Sequence, residues 1–241
     1  MKDIDIIRIP ILPMGMVNAY LVASTNGYIL VDAGIPNSEN KIGKALKRHG
    51  LTFRDIKLIV ITHAHADHAG SAYKIQKYSR APIVAHEADL PYYLREKAMT
   101  YCTTGWFGRF FIKTGIPLVE YEKFIPDILL KGTDSLDLAP FGVNGAVFST
   151  PGHTQGSISI MLSNKKALVG DLVSSGILLG GIIRNGTAMP PPFEDSSVEI
   201  AKELSSLLVQ GVETFYMGHG GPLAADEVRR YSNRILHGQK N

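Results

Sequence analysis

The chain has 241 residues, of which 45% are hydrophobic and 20% are charged, and this composition predicts a single domain over residues 1–241. The net charge is +3, and Lys and Arg are spread along the chain rather than gathered into a stripe, so we expect no nucleic-acid partner. The sequence lacks an apolar run of about 18 residues and a secretory signal, which predicts a cytoplasmic protein with no transmembrane segment.

Short apolar runs bounded by turn residues predict strands, and apolar residues at helical spacing predict helices between them. Because the two kinds of element alternate, the predicted fold class is mixed α/β. In chain order the predicted elements are strands 18–22 and 27–31, helix 38–49, strand 58–61, helix 70–78, strands 83–85, 145–148, 158–162 and 166–169, helix 196–209 and strand 214–217.

The most distinctive segment follows the strand 58–61 and reads ITHAHADHAG over residues 61–70. It places His63, His65, Asp67 and His68 within six positions. Two imidazoles separated by one small residue can point at the same ion when the chain leaves a strand in an extended conformation. Neutral imidazole and carboxylate are good ligands for zinc and for several other first-row metals. The segment therefore predicts a metal site.

Further polar residues lie where other predicted strands end. Asp32 ends the strand 27–31, and His153, Asp171 and His219 follow three later strands. Loops at strand ends are a common place for functional residues, so these ends could converge on one site. The chain has one cysteine, which excludes a site built from several thiolates. Seven nitrogen and oxygen donors are more than one tetrahedral ion uses, which suggests two metals.

These segments resemble the metallo-β-lactamase superfamily of metal-dependent hydrolases, whose hallmark is His-x-His-x-Asp-His. The other signature elements of that family have counterparts in the same order: LVDAG with Asp32, TPGHTQGS with His153, LVGDL with Asp171 and MGHGG with His219. The resemblance covers residues 32–219 and implies an αββα sandwich.

The resemblance also implies a role for each matching residue. Asp67 would pass a proton to the leaving group, and Asp32 would orient the histidine loop from behind the ligands. The cofactor would be two Zn²⁺ ions, or Fe or Mn in their place, and a metal-bound water would be the nucleophile. The implied metal ligands are His63, His65 and His153 for the first ion, Asp67, His68 and His219 for the second, and Asp171 as the bridge.

The predicted function is hydrolysis of an ester, thioester or lactone in a small-molecule substrate. The spacing around His153 and Asp171 is similar to that of glyoxalase II enzymes, although little chain follows His219 to form their glutathione-binding extension. Acyl-homoserine lactonases typically have a tyrosine where this chain has Ser174. The same motifs are also compatible with β-lactam hydrolysis, with an iron-dependent persulfide dioxygenase and with a non-catalytic metal-binding scaffold.

An aromatic-rich insert is predicted at about residues 88–127. It holds nine of the residues that make up the chain's 10 tyrosines, 9 phenylalanines and 1 tryptophan. A segment this rich in aromatic side chains is too apolar to stay exposed without a partner. The insert could be extra core or a homodimer contact, a membrane-surface patch, or a wall over the metals that binds an apolar acyl group. The residues expected to bind substrate in the last case are Trp106, Phe107, Phe110 and Phe111.

Overall fold

The computed structural model of the chain describes residues 4–238, and within them it contains two six-stranded sheets, a hairpin and flanking helices. The first sheet has the order β1 (Ile6–Pro10), β2 (Asn18–Ser24), β3 (Gly27–Val31), β4 (Ile56–Val60), β5 (Ile83–His86) and β6 (Ile128–Leu130). The second has the order β14 (Leu223–Ala224), β13 (Thr214–Tyr216), β10 (Lys166–Leu168), β9 (Ile158–Leu162), β8 (Gly145–Ser149) and β7 (Ser135–Asp137). The hairpin pairs β11 (Ser174–Ile177) with β12 (Ile183–Met189). The helices are α1 (Glu39–Arg48), α2 (Ala66–Ala69), α3 (Ala72–Ser79), α4 (Leu90–Tyr93), α5 (Gly105–Lys113), α6 (Ser197–Val209) and α7 (Ala225–Gly238).

Both sheets bury both faces, which explains why their central strands are almost continuously apolar. In β3, for example, Ile29 faces the second sheet, whereas its neighbour Leu30 faces the outer helices, because side chains alternate along a strand. In β4, Leu58 and Ile59 divide in the same way. Three apolar cores result, one between the sheets and one between each sheet and its helices. Representative residues are Ile42, Leu46 and Ile75 in the first, Val147, Ile160 and Leu162 in the second, and Leu204, Phe215 and Val228 in the third.

The layers are therefore helix, sheet, sheet and helix, and the predicted αββα sandwich is confirmed. Each predicted strand and helix is present with bounds shifted by a few residues at most. Helix 70–78 begins later than predicted, as α3, because the separate turn α2 is formed by the histidine motif itself. The sequence pattern missed short or polar strands such as β6, β7 and β12, and no helix within residues 4–238 is long and apolar enough to span a membrane.

The topology brings the predicted functional residues to one end of the sandwich. β3 and β4 are parallel, as are β10 and β13, so the loops that follow the strands of each pair leave from the same edge. Asp32 follows β3 with a φ of 62°, a conformation that Asp tolerates better than most residues. The site is thus assembled from loops that a rigid pair of sheets holds in place.

Candidate metal centre

Three histidines place one ring nitrogen each around a common point. His63 and His65 extend from β4, and His153 lies in the loop between β8 and β9. His153 Nε2 lies 3.1 Å from His63 Nε2 and 3.0 Å from His65 Nδ1, and these last two nitrogens are 3.1 Å apart. Ligands of a tetrahedral zinc ion with Zn–N bonds of about 2.0–2.1 Å are separated by about 3.3 Å. The first histidine set, His63, His65 and His153, therefore fits one metal ion.

The surroundings of the first histidine set favour neutral imidazoles. Burial and the neighbouring histidines hold the pKa of His63 well below its ordinary value. Burial lowers the pKa of His65 to about 3 against the pull of Asp171, and burial together with His65 lowers that of His153 to about 3. Neutral imidazole is the form that binds a metal, so no proton has to leave these rings before an ion binds.

A second ligand set consists of Asp67 and His68 from α2 and of His219, which follows β13. Asp67 Oδ2 lies 3.4 Å from His219 Nε2 and 3.8 Å from His68 Nε2. Burial disfavours charge on His68, but Asp171 and Asp32 outweigh it and hold the pKa of His68 well above its ordinary value. Burial is likewise outweighed at His219, whose pKa is raised by Asp171 to about 9. Protons and metal ions therefore compete for the second ligand set.

Asp171 lies between the two sets and contacts both. Its Oδ2 is 2.9 Å from His219 Nε2 and 3.7 Å from His153 Nε2, and its Oδ1 is 3.4 Å from His68 Nε2. Burial favours the neutral acid, yet His219 and His68 hold the pKa of Asp171 well below its ordinary value. This carboxylate can therefore bridge two cations.

Two buried polar atoms support metal binding at this bridge. Asp171 Oδ1 and His68 Nε2 lie 3.4 Å apart, but neither atom makes a well-aligned hydrogen bond among the described residues. A buried polar atom without a partner costs about 1–3 kcal/mol, and a coordinated cation would satisfy both atoms. The donor set of imidazoles and carboxylates also suits zinc and related ions. The residues present therefore fit a metal centre.

Asp32 and Thr62 support the ligands from behind. Asp32 Oδ2 accepts a hydrogen bond from His68 Nδ1 at 2.8 Å, which directs His68 Nε2 towards Asp171. The Thr62 backbone N–H donates to Asp32 Oδ1 at 2.8 Å, and the Thr62 hydroxyl lies 3.0 Å from His63 Nδ1. Asp32 thus lies behind the His68 ring, on the side away from Asp171. The sequence pattern alone gives no sign of the part that Thr62 plays.

The metal-binding residues open into a cavity of about 460 Å³, here called the site cavity. His65, Asp67, Asp171 and His219 form its polar floor. Among residues 4–238, no Lys or Arg lines it. The apolar walls come from segments far apart in the sequence and include Leu12, Met16, Val17, Ile35, Tyr101, Phe111, Ile116, Val119, Leu179 and Phe193.

A sequence profile described as "Metallo-beta-lactamase superfamily" matches residues 12–219, which is most of the chain. The chain belongs to the metallo-beta-lactamase superfamily. This finding confirms the family, the fold and the enzyme class, a metal-dependent hydrolase, that the histidine motif predicted.

Individual relatives align with much of the chain. "Probable metallo-hydrolase YflN" of Bacillus subtilis is 27% identical over 239 residues, covering 90% of this chain and 86% of its own. "N-acyl homoserine lactonase AiiB" of Agrobacterium fabrum is 26% identical over 172 residues, 62% of this chain and 59% of its own. The crystal structure of metallo-beta-lactamase family protein TTHA1429 from Thermus thermophilus shares the fold with a TM-score of 0.68 and 23% identity, covering 97% of this chain and 79% of that one.

The aromatic residues expected to bind substrate in this superfamily member lie in different places. Phe111 lines the site cavity. Trp106 and Phe107 line a separate cavity of about 230 Å³ beside the β11–β12 hairpin. Trp106 is 69% exposed and Phe110 is 61% exposed. Of the four, Phe111 is therefore the one best placed to contact a substrate.

Two other aromatic residues lie closer to the metal ligands than the four predicted ones. Tyr101 stacks on the His65 ring with 4.8 Å between centroids, and Phe193 packs edge-on to the same ring at 6.2 Å. Tyr101 belongs to the insert and is one of the aromatics that make it distinctive in the sequence. Phe193 follows the hairpin, and no signal in the sequence places it near residue 65.

Proposed function

We propose that this metal-dependent hydrolase binds two zinc ions and cleaves an ester, thioester or lactone bond in a substrate that carries an apolar acyl group. One observation supports the proposal above others: two ligand sets share Asp171 and open together into an apolar cavity. A structural zinc site is usually closed by four protein ligands, whereas here the ligands face open space. The lactonase name of one relative supports the lactone as a candidate bond.

The first histidine set would hold one ion, the second ligand set the other, and Asp171 would contact both. When bound, two such ions provide a nucleophile at neutral pH and polarise a carbonyl oxygen. Two of the buried imidazoles are held in orientation from behind, the His68 ring by Asp32 and the His63 ring by Thr62.

Asp67 is the side chain best placed to move a proton. Its carboxylate reaches both His68 and His219, and its side chain is 30% exposed at the floor of the site cavity. The Asp67 carboxylate can therefore take a proton from an attacking water and deliver it to the departing oxygen or sulfur. The neighbouring His65, Asp171 and His219 also border the cavity but are at most 4% exposed.

The site cavity selects for the acyl portion of the substrate. Its walls offer apolar surface, and no Lys or Arg in the described part of the chain lines it to balance a carboxylate or phosphate on the substrate. An acyl chain that enters gains about 0.8 kcal/mol per buried methylene group. An anionic group in the same place would lose its hydration without a counter-charge. The proposal therefore favours neutral, apolar acyl groups over glutathione thioesters.

The test is a substrate panel assayed on zinc-loaded protein, with Asp171→Ala as the control for contaminating hydrolases. Esters, thioesters, lactones and β-lactams would carry acyl groups of equal length, each with a matched analogue that ends in a carboxylate. We expect turnover of at least one oxygen or sulfur ester with kcat/KM higher for the neutral acyl group. A β-lactam as the sole substrate, oxygen uptake with a persulfide by iron-loaded protein, or no turnover on any substrate would overturn the proposal.

A further inference from the structure

Ala64 lies between two ligands of the first histidine set, and both of its peptide groups are hydrogen-bonded to one segment. Its backbone N–H donates to Asp89 Oδ2 at 2.9 Å. Its carbonyl accepts from the Tyr121 hydroxyl at 2.8 Å. Asp89 and Tyr121 both belong to the 88–127 insert. The insert therefore holds the backbone of the His63–Ala64–His65 loop at two points.

Asp89 also binds the loop that carries the third histidine. The hydroxyl of Thr154, the residue after His153, donates to Asp89 Oδ2 at 3.0 Å, and the Gly156 backbone N–H donates to Asp89 Oδ1 at 3.0 Å. A Cβ at Gly156 would lie 2.4 Å from the Asp89 carboxyl carbon, so the close approach depends on glycine. One fully buried carboxylate thus joins the two loops whose rings form the first histidine set.

We propose that Asp89 and Tyr121 are positioning residues that set the spacing of His63, His65 and His153 for the first metal ion. The proposal rests on the proposed metal-dependent function. Neither residue contacts the metal-binding nitrogens. Each acts through the backbone of Ala64, and Asp89 acts in addition through Thr154 and Gly156. Because the three ring nitrogens lie only 3.0–3.1 Å apart, a small shift of one loop would change the geometry offered to the ion.

The first test compares Asp89→Asn with Asp127→Asn. The Asn side chain has the same size, but an NH₂ group replaces one of the two accepting oxygens. Both Asp89 oxygens accept hydrogen bonds, so in either orientation the NH₂ group meets a donor and at least one of these bonds is lost. Asp127 is a matched control, because its carboxylate also caps a backbone N–H, that of Ile83 at 2.8 Å, and binds Gln76 at 2.7 Å, outside the metal loops. The readouts are Zn²⁺ affinity by chelator competition, the visible spectrum of bound Co²⁺, and thermal unfolding of the metal-free proteins.

We expect Asp89→Asn to lower the affinity for the first ion by about 10–100-fold, the usual scale for residues that orient metal ligands, and to change the Co²⁺ spectrum. Asp127→Asn should keep both at the wild-type values. If Asp89→Asn unfolds, the second pair of variants decides.

The second test compares Tyr121→Phe with Tyr93→Phe. Both tyrosines pack with Phe124 in the insert, but the buried Tyr93 hydroxyl has no hydrogen-bond partner among the described residues. Tyr121→Phe should lower the affinity for the first ion and alter the Co²⁺ spectrum, and Tyr93→Phe should do neither. Wild-type metal affinity and spectrum in Tyr121→Phe and in any folded Asp89→Asn would overturn the positioning role. Failure of the wild type to bind metal would instead overturn the proposed function.

Discussion

Proton competition should distinguish the two ligand sets when the pH is lowered from 8 to 6. Beside Asp171, the pKa of His219 is raised to about 9 although burial opposes its charge, so its proton must leave before a metal binds. In the first histidine set, burial lowers the pKa values of His65 and His153 to about 3. These rings stay neutral between pH 8 and pH 6, so no proton has to be displaced from them. The second ligand set should therefore lose metal affinity in acid, and the first should not.

The size of the effect follows from the separation between each pKa and the pH. For a group with a pKa near 9, the change from pH 8 to pH 6 weakens metal binding by about 90-fold, or about 2.7 kcal/mol, for each proton displaced. His68, whose pKa is also raised, adds to this loss. For groups with pKa values near 3, the same change alters the affinity by about 1% or less.

The assay is competition with a chromophoric zinc chelator on two variants that each retain one complete set. His219→Ala keeps the first histidine set, and its zinc affinity should be nearly constant from pH 8 to pH 6. His153→Ala keeps the second ligand set, and its affinity should fall by about 90-fold or more. Thermal unfolding at each pH controls for acid denaturation. Equal pH dependence in the two variants, or a steeper dependence in His219→Ala, would refute the assignment of protons.

Two further predictions concern turnover and specificity. Asp67→Asn should remain folded and lower kcat by roughly 100-fold or more, because it removes the proton carrier and weakens a ligand; unchanged turnover at full zinc loading would exclude Asp67 from the reaction. Wild-type kcat/KM should rise by about 4-fold per added acyl methylene until the site cavity is full, from about 0.8 kcal/mol each. The double variant Phe111→Ala with Phe193→Ala should reduce the rise of kcat/KM with acyl length, whereas Trp106→Ala with Phe110→Ala should retain it. The reverse pattern would show that the acyl group does not bind in the site cavity.

Most of the candidate metal ligands could be predicted from the sequence because they lie just after an apolar strand or, for Asp67 and His68, in the short helix that continues the same loop. His63, His153 and His219 follow β4, β8 and β13, and a sandwich whose sheets are rigid leaves such loops little freedom. Local patterning thus defined both the strands and the positions of the ligands. The resemblance supplied the division into two sets, which periodicity alone does not give.

The residues behind the ligands and the cavity walls could not be predicted in the same way, because they depend on contacts between distant segments. Asp89 follows β5 and looks like an ordinary acidic residue at a strand end, and only the folded chain brings it to Ala64 and Thr154. Aromatic enrichment drew attention to the insert. It does not reveal that Tyr101 stacks on His65 while Trp106 is 69% exposed, since both depend on how the insert folds against the sheets.

The most direct test of the account is the zinc content of the wild-type chain after reconstitution with excess Zn²⁺ and removal of unbound metal. Elemental analysis against protein concentration measured by amino-acid analysis gives the stoichiometry. The two ligand sets that share Asp171 predict two zinc ions per chain. A firm value of one ion per chain, whether zinc or a retained iron, would contradict the dinuclear centre.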